Sequence, residues 1–141
     1  MKNLVLTAIL FISVISFAQE TTNSNAGIFD FESEIIDYGE IQQKDDGNRV
    51  FTFKNIGNNP IVISNVKGSC GCTVATKPNK PIMPGKTGEI GVKYDTNRIG
   101  RFSKTITITS NASKNKKIVR IKGMVLKPEG APNNSAVSVT K

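Results

Sequence analysis

From Val50 to Lys122 the chain repeatedly sets one apolar side chain beside one polar one. Phe51 and Phe53 alternate with Val50, Thr52 and Lys54. Ile90, Val92 and Tyr94 alternate with Glu89, Gly91, Lys93 and Asp95, and Ile106 and Ile108 with Thr105, Thr107 and Thr109. Val119 and Ile121 alternate with Arg120 and Lys122, and Ile61 and Ile63 follow the turn-like Gly57-Asn58-Asn59-Pro60. Successive strand side chains point to opposite faces, so this pattern predicts half-buried strands with one face on a core and one in water. Asp46-Gly47, Asn55 to Pro60, Pro84-Gly85, Asn97 to Gly100 and Ser110 to Lys116 supply the turns. No window offers an amphipathic helix. Short strands at this spacing predict an all-β fold, an immunoglobulin-like antiparallel β-sandwich of about seven strands. The distant cysteines and tryptophan of antibody domains are missing, so packing must join the sheets.

The pattern stops at both ends. Met1-Lys2-Asn3 gives a short basic start, Leu4 to Ile15 is almost wholly apolar, and Ser16-Phe17-Ala18 places small residues where a signal peptidase reads. The apolar run is shorter than the roughly 20 residues a membrane-spanning helix needs. Residues 1–18 therefore read as a secretory signal peptide, and export to the periplasm or medium is expected, with no membrane span after cleavage. No cysteine follows the cleavage point, which excludes lipid attachment there. Residues 19–27 read as a flexible leader, 28–126 as the sandwich and 127–141 as a flexible tail.

Charge narrows the partners. The sequence carries 19 basic and 11 acidic residues, and loss of Lys2 with the signal leaves the balance at +7. In an exported protein such a balance suits an anionic envelope component or an envelope protein, or simply keeps the surface solvated. Neither an aromatic-plus-basic nucleic-acid motif nor a glycine-rich phosphate cradle is present. Histidine is absent, which removes histidine-dependent nucleophiles, imidazole proton shuttles and histidine metal sites. The acidic residues are scattered, with no pair set to flank a substrate. No cofactor is implied, and a non-enzymatic protein is expected.

The order of short motifs adds a resemblance. Asp37-Tyr38-Gly39-Glu40-Ile41 precedes Phe51-Thr52-Phe53-Lys54-Asn55-Ile56-Gly57. Pro60 to Val66 then runs into Gly68-Ser69-Cys70-Gly71-Cys72-Thr73, followed by Ile82 to Ile90, Gly100 to Ser110 and Ile121-Lys122-Gly123. This arrangement resembles the exported bacterial family called domain of unknown function 1573, over roughly Phe29 to Val125. It is also distantly similar to the immunoglobulin-like modules of major sperm protein and of ciliary and centrosomal proteins of the abnormal-spindle and hydin type. The resemblance implies an immunoglobulin-like fold and an envelope or exported location, and brings no catalytic residues with it.

Both cysteines lie in Gly68 to Thr73. On an extended strand Cys70 and Cys72 would have Cα atoms roughly 6.6 Å apart and Cβ atoms too far apart to bridge. Cys70, Cys72 and Val74 would then share one face and pack as small apolar side chains, the reading that parity favours. Gly71 permits a kink, and a kinked pair would form a readily reduced bridge suited to redox exchange. A soft-metal site for Cu(I) is a further reading, with Met83 and Met124 as possible thioethers, as is a disulfide to another chain. Lys67 and Lys77 are close enough in sequence to favour a thiolate.

Two weaker signals remain. Asp45-Asp46-Gly47-Asn48 faintly suggests a calcium loop but lacks the later glutamate, so it reads as a turn. Lys114, Lys116, Lys117, Arg120 and Lys122 read as a solvated hairpin whose lysines guard an edge strand. The functional expectation is an exported, non-catalytic binding or scaffolding module of the cell envelope. The rim loops 43–48, 79–88 and 110–117 are its expected contact surfaces, and a thiol redox or copper carrier using Cys70 and Cys72 is the alternative.

Overall fold

The computed structural model describes residues 26–128; the expected signal peptide, most of the leader and most of the tail lie outside them. Eight strands follow one another: β1 (Phe29–Phe31), β2 (Ile35–Gln42), β3 (Asn48–Asn55), β4 (Ile63–Gly68), β5 (Thr73–Thr76), β6 (Thr87–Tyr94), β7 (Gly100–Ser110) and β8 (Lys116–Leu126). They form two four-stranded sheets, ordered β1-β3-β6-β5 (sheet A) and β2-β8-β7-β4 (sheet B). No helix occurs among the described residues. The expected sandwich is present with one strand more than anticipated, because the short Phe29–Phe31 segment pairs with β3. It is also not wholly antiparallel. β2 runs parallel to β8, an arrangement open to strands so distant in sequence because no hairpin joins them.

The alternating residues named above are the core. Phe51, Phe53, Ile61, Ile63, Ile90, Val92, Tyr94, Ile106, Ile108, Val119 and Ile121 are all buried. Phe29 and Phe31 close over Phe53 from the sheet A edge, with ring centroids 4.9 and 5.3 Å away. Toward the opposite end, Tyr94 stacks on Phe102 at 3.8 Å, and Tyr38 meets Phe102 edge-on at 5.3 Å. Gly123 lies beneath them; a Cβ there would fall 2.8 Å from Tyr38 Cβ and 2.9 Å from the Phe102 ring. Tyr94 belongs to sheet A and Tyr38 and Phe102 to sheet B, so these aromatic contacts join the two sheets by packing.

Asn55 organises one end of the sandwich. Its side chain is completely buried. Oδ1 accepts the Ile28 and Gly57 N–H groups at 3.2 and 3.0 Å, while Nδ2 donates to the carbonyls of Asn59 and Ile82 at 2.8 and 2.9 Å. One amide therefore fastens the entry to β1, the 56–60 turn and the loop before β6. Ala26 and Gly27, which the sequence assigns to the leader, already pack here: both are buried, and Gly27 accepts a hydrogen bond from Ser113 N–H.

Candidate functional site

The cysteine pair lies at the other end, in the connection that carries the chain from sheet B to sheet A. β4 ends at Gly68 and β5 begins at Thr73, so residues 69–72 must cross the sandwich and cannot stay extended. They turn instead, closed by a hydrogen bond from Thr73 N–H to the Cys70 carbonyl at 3.2 Å. The turn draws the Cα atoms to 5.3 Å, and Cys70 and Cys72 are joined by a disulfide. This corrects the extended reading with free thiols on a shared face. Cys72 is 6% exposed and belongs to the core, Cys70 is half-buried, and Val74 points outward at 61% exposure. The pair is also no Cu(I) ligand in this state, since a disulfide has no thiolate to offer.

The turn is held from both sides by groups other than the bridge. Ser69 N–H donates to the Thr105 carbonyl at 2.9 Å, and Thr105 N–H returns a bond to Ser69 Oγ at 3.2 Å. Asp95 N–H donates to the Cys72 carbonyl at 2.9 Å. Thr73 is buried, with Oγ1 3.7 Å from Cys70 Sγ and 3.9 Å from Cys72 Sγ. Gly71 is exposed, and an added Cβ would meet nothing within 4 Å. A bridge across so small a loop restricts the unfolded chain little: loop-closure entropy gives roughly 1–2 kcal/mol, against about 3 kcal/mol for a loop of ~15 residues. Met83 is exposed beyond Ile82, Met124 is on the far strand β8, and Lys67 and Lys77 are exposed. Thioether chemistry suggested the two methionines, and nearness in sequence the two lysines, as partners of the sulfurs. The group that does lie beside both is the Thr73 hydroxyl, and a threonine at the start of a strand carries no signal of that in the sequence.

A second region is the outer face of sheet B. The register sets Ile35, Arg120 and Thr105 in one row, Asp37, Lys122 and Ser103 in the next, and Glu40, Met124 and Arg101 beyond. Ile118, Thr107 and Lys67 form a further row, with Lys116, Thr109 and Asn65 after it. The face thus carries Lys67, Arg101, Lys116, Arg120 and Lys122 against Asp37 and Glu40. Asp37 pairs with Lys122 at 3.1 Å, and Arg120 donates to Ser103 Oγ at 3.2 Å. On the outer face of sheet A, Lys54 and Lys93 are matched by Asp30 and Glu89. The positive excess of the strands is one-sided.

The basic residues after Ser110 were expected to guard an edge, yet β8 lies between β2 and β7. Their alternation instead sends Lys116, Arg120 and Lys122 to the outer face, while Lys117 turns to Glu34 at the rim, over the Phe31 ring. Pairing order is a long-range property, so the segment alone could not show this. On the same face β2 bulges between Asp37 and Glu40. Gly39 takes a φ of 63° there, a left-handed conformation that glycine adopts without a Cβ clash. Asp37 Oδ1 accepts its N–H at 2.9 Å, and this bond, together with Lys122, lowers the Asp37 pKa. The bulge opens a groove of about 610 Å³ bordered by Asp37, Glu40, Arg101, Ser103, Lys122 and Met124.

The rim loops do not form one surface. Loop 43–48 sits at the cysteine end, where Gly47 O accepts both Tyr94 N–H and Tyr38 Oη–H, whereas 79–88 and 110–117 sit at the Asn55 end. The carboxylates of Asp45 and Asp46 accept from Gln42 N–H and Asn48 N–H at 2.8 and 3.0 Å, the bonds of a turn. Among the described residues no cluster of three or more Cys, Asp or Glu side chains is placed to hold a metal ion.

The model of the family described as "Protein of unknown function (DUF1573)" matches residues 29–125, from the first residue of β1 to the penultimate residue of β8. The chain belongs to this family. No curated protein matches this DUF1573 chain. Among solved structures it is similar to a protein of unknown function from Porphyromonas gingivalis W83, at TM-score 0.65 and 16% identity over 78% of this chain and 51% of that one. It is similar to the ASH/PapD-like domain 7 of human CEP192, at TM-score 0.61 and 9% identity over 83% and 98% of the two chains. It is also similar to the Vibrio cholerae VesB protease, at TM-score 0.56 and 12% identity over 74% of this chain and 33% of that one. The DUF1573 chain thus spans about half of the first structure and a third of the protease. At these identities the likeness is one of fold, and the fold of the DUF1573 sandwich is immunoglobulin-like.

Proposed function

We propose that this DUF1573 chain is an exported, non-catalytic binding module that docks an anionic component of the cell envelope on the outer face of sheet B. The observation that carries the reading is the one-sided charge: five cations and two carboxylates on that face, against a balanced outer face on sheet A. The face is broad, with Thr105, Thr107 and Thr109 presenting hydroxyls between the cations and Ile35 and Ile118 exposed beside them. Such a surface complements an extended array of negative charge better than a small molecule in a pocket. The absence of histidine supports a non-catalytic role, and the export signal read from residues 1–18 supports the envelope as its place.

Co-sedimentation with vesicles tests this. The purified protein is expected to bind phosphatidylcholine vesicles carrying phosphatidylglycerol and to ignore phosphatidylcholine alone, with binding falling as salt screens the contact. Reversing Lys116 and Arg120 to Glu should abolish binding while leaving the β-type circular dichroism intact. Equal binding to neutral vesicles, or binding that survives the reversal, would remove the face from the account. A second reading, thiol redox chemistry at Cys70 and Cys72, is favoured over a soft-metal site by the bridge itself.

A further inference from the structure

We propose that the Cys70–Cys72 bridge is a thiol–disulfide exchange site for a protein dithiol, entered at Cys70 Sγ and released at Cys72 Sγ. This rests on the redox reading and adds a direction, a positioning group and an unchanged fold. The direction follows from exposure: Cys70 is half-buried beside the exposed Gly71, in front of which space is open, whereas Cys72 is 6% exposed. Attack at the more exposed residue of the two makes Cys70 Sγ the point of entry and leaves the buried Cys72 Sγ as the leaving group. The positioning group is Thr73. Its hydroxyl sits 3.7 and 3.9 Å from the two sulfurs, where it can donate to charge that develops as the bridge opens.

The exchange proceeds in two displacements. A partner thiolate attacks Cys70 Sγ; a partner–Cys70 disulfide forms, the Cys70–Cys72 bond breaks, and its electron pair leaves on Cys72 Sγ, which takes a proton from water. The partner's second thiolate then attacks the partner sulfur of the mixed disulfide and displaces Cys70 as a thiolate, which is protonated in turn. The partner is oxidised to its disulfide, and this chain gains two electrons and two protons. The fold survives because the turn is anchored apart from the bridge, through Ser69 to Thr105, Cys72 to Asp95 and the Thr73–Cys70 backbone bond. Cross-linking so small a loop adds little to stability, so its loss removes little.

Incubating the native protein with dithiothreitol, quenching with an alkylating reagent and weighing the product tests the exchange. The bridge is expected to open fully while the circular dichroism spectrum and the urea midpoint stay nearly unchanged. Single variants then test the direction. In Cys72→Ser the remaining Cys70 thiol should form an adduct with glutathione disulfide at least about tenfold faster than Cys72 does in Cys70→Ser, since access limits exchange. In Thr73→Val the pH profile for alkylation of the reduced pair should move to higher pH, a shift that a purely structural threonine would not cause. A bridge that resists dithiothreitol until the protein unfolds would overturn the redox reading itself. Exchange with equal rates in the two cysteine variants would overturn the assigned direction while leaving redox exchange in place.

Discussion

Replacing Asn55 with alanine removes four hydrogen bonds at once, and the structure allows the cost to be apportioned. The Gly57 N–H is buried and has Asn55 Oδ1 as its acceptor at 3.0 Å; an orphaned buried donor costs about 1–3 kcal/mol. The Ile28 N–H is only partly buried, so water recovers some of its bond and the loss there is roughly 0.5–1 kcal/mol. The Ile82 carbonyl keeps a bond from Ile61 N–H at 2.9 Å and contributes least. Together with the bond lost at Asn59, Asn55→Ala should cost about 3 kcal/mol, which for a domain of this size lowers Tm by about 12–24 °C. Urea unfolding followed by circular dichroism should show a lower midpoint with an unchanged slope. Asn55→Asp adds a signature. The carboxylate still accepts from Ile28 and Gly57 but faces the carbonyls of Asn59 and Ile82, so its folded pKa is raised. The variant should be at least as unstable as Asn55→Ala at neutral pH and should regain stability as pH falls and the carboxyl becomes a donor again. A loss below about 1 kcal/mol in Asn55→Ala, or no acid recovery in Asn55→Asp, would show that the amide does not tie this end together.

Other outcomes follow from named contacts. Burial pushes the Tyr38 hydroxyl up to about 12 from 10.0, so between those values the unfolded chain ionises first and stability falls as pH rises. Tyr38→Phe should flatten that alkaline limb in urea titrations and, by losing the 2.9 Å bond to Gly47 O, cost about 1 kcal/mol at neutral pH. Gly88→Val should cost about 1–3 kcal/mol by overpacking in the same assay, because a Cβ there would lie 2.6 Å from the Phe53 ring and 2.9 Å from Ile82. Asp46 and Asp95 are held below their ordinary 3.8, chiefly by the backbone N–H of Asn48 and the side chain of Asn97 respectively. Their contribution is therefore present above that value and lost as pH falls below it, and an Asp46→Asn, Asp95→Asn protein should show a shallower acid limb.

The sandwich was legible because alternation is local. Each Phe, Ile, Val or Tyr that the pattern sends inward in β3, β6, β7 and β8 is buried, since a strand's two faces are set by parity alone. Turn residues likewise marked the joins, because glycine, proline and asparagine carry their backbone preferences with them. Asn55 shows the limit: it read as the first residue of a turn, and only the convergence of three segments makes it the buried fastening of that end.

What the order of residues alone could decide was which side chains face inward and where strands stop. Which strands become neighbours is settled by the packing of the whole chain, since pairing joins residues far apart in sequence. That is why β8 emerged as an interior strand bearing a basic outer face, and why β2 lies parallel to it. The cysteines depend on the same fact. Six residues from Gly68 to Thr73 can be drawn as a strand or a turn, and the need to cross from one sheet to the other between β4 and β5 selects the turn that lets Cys70 and Cys72 meet.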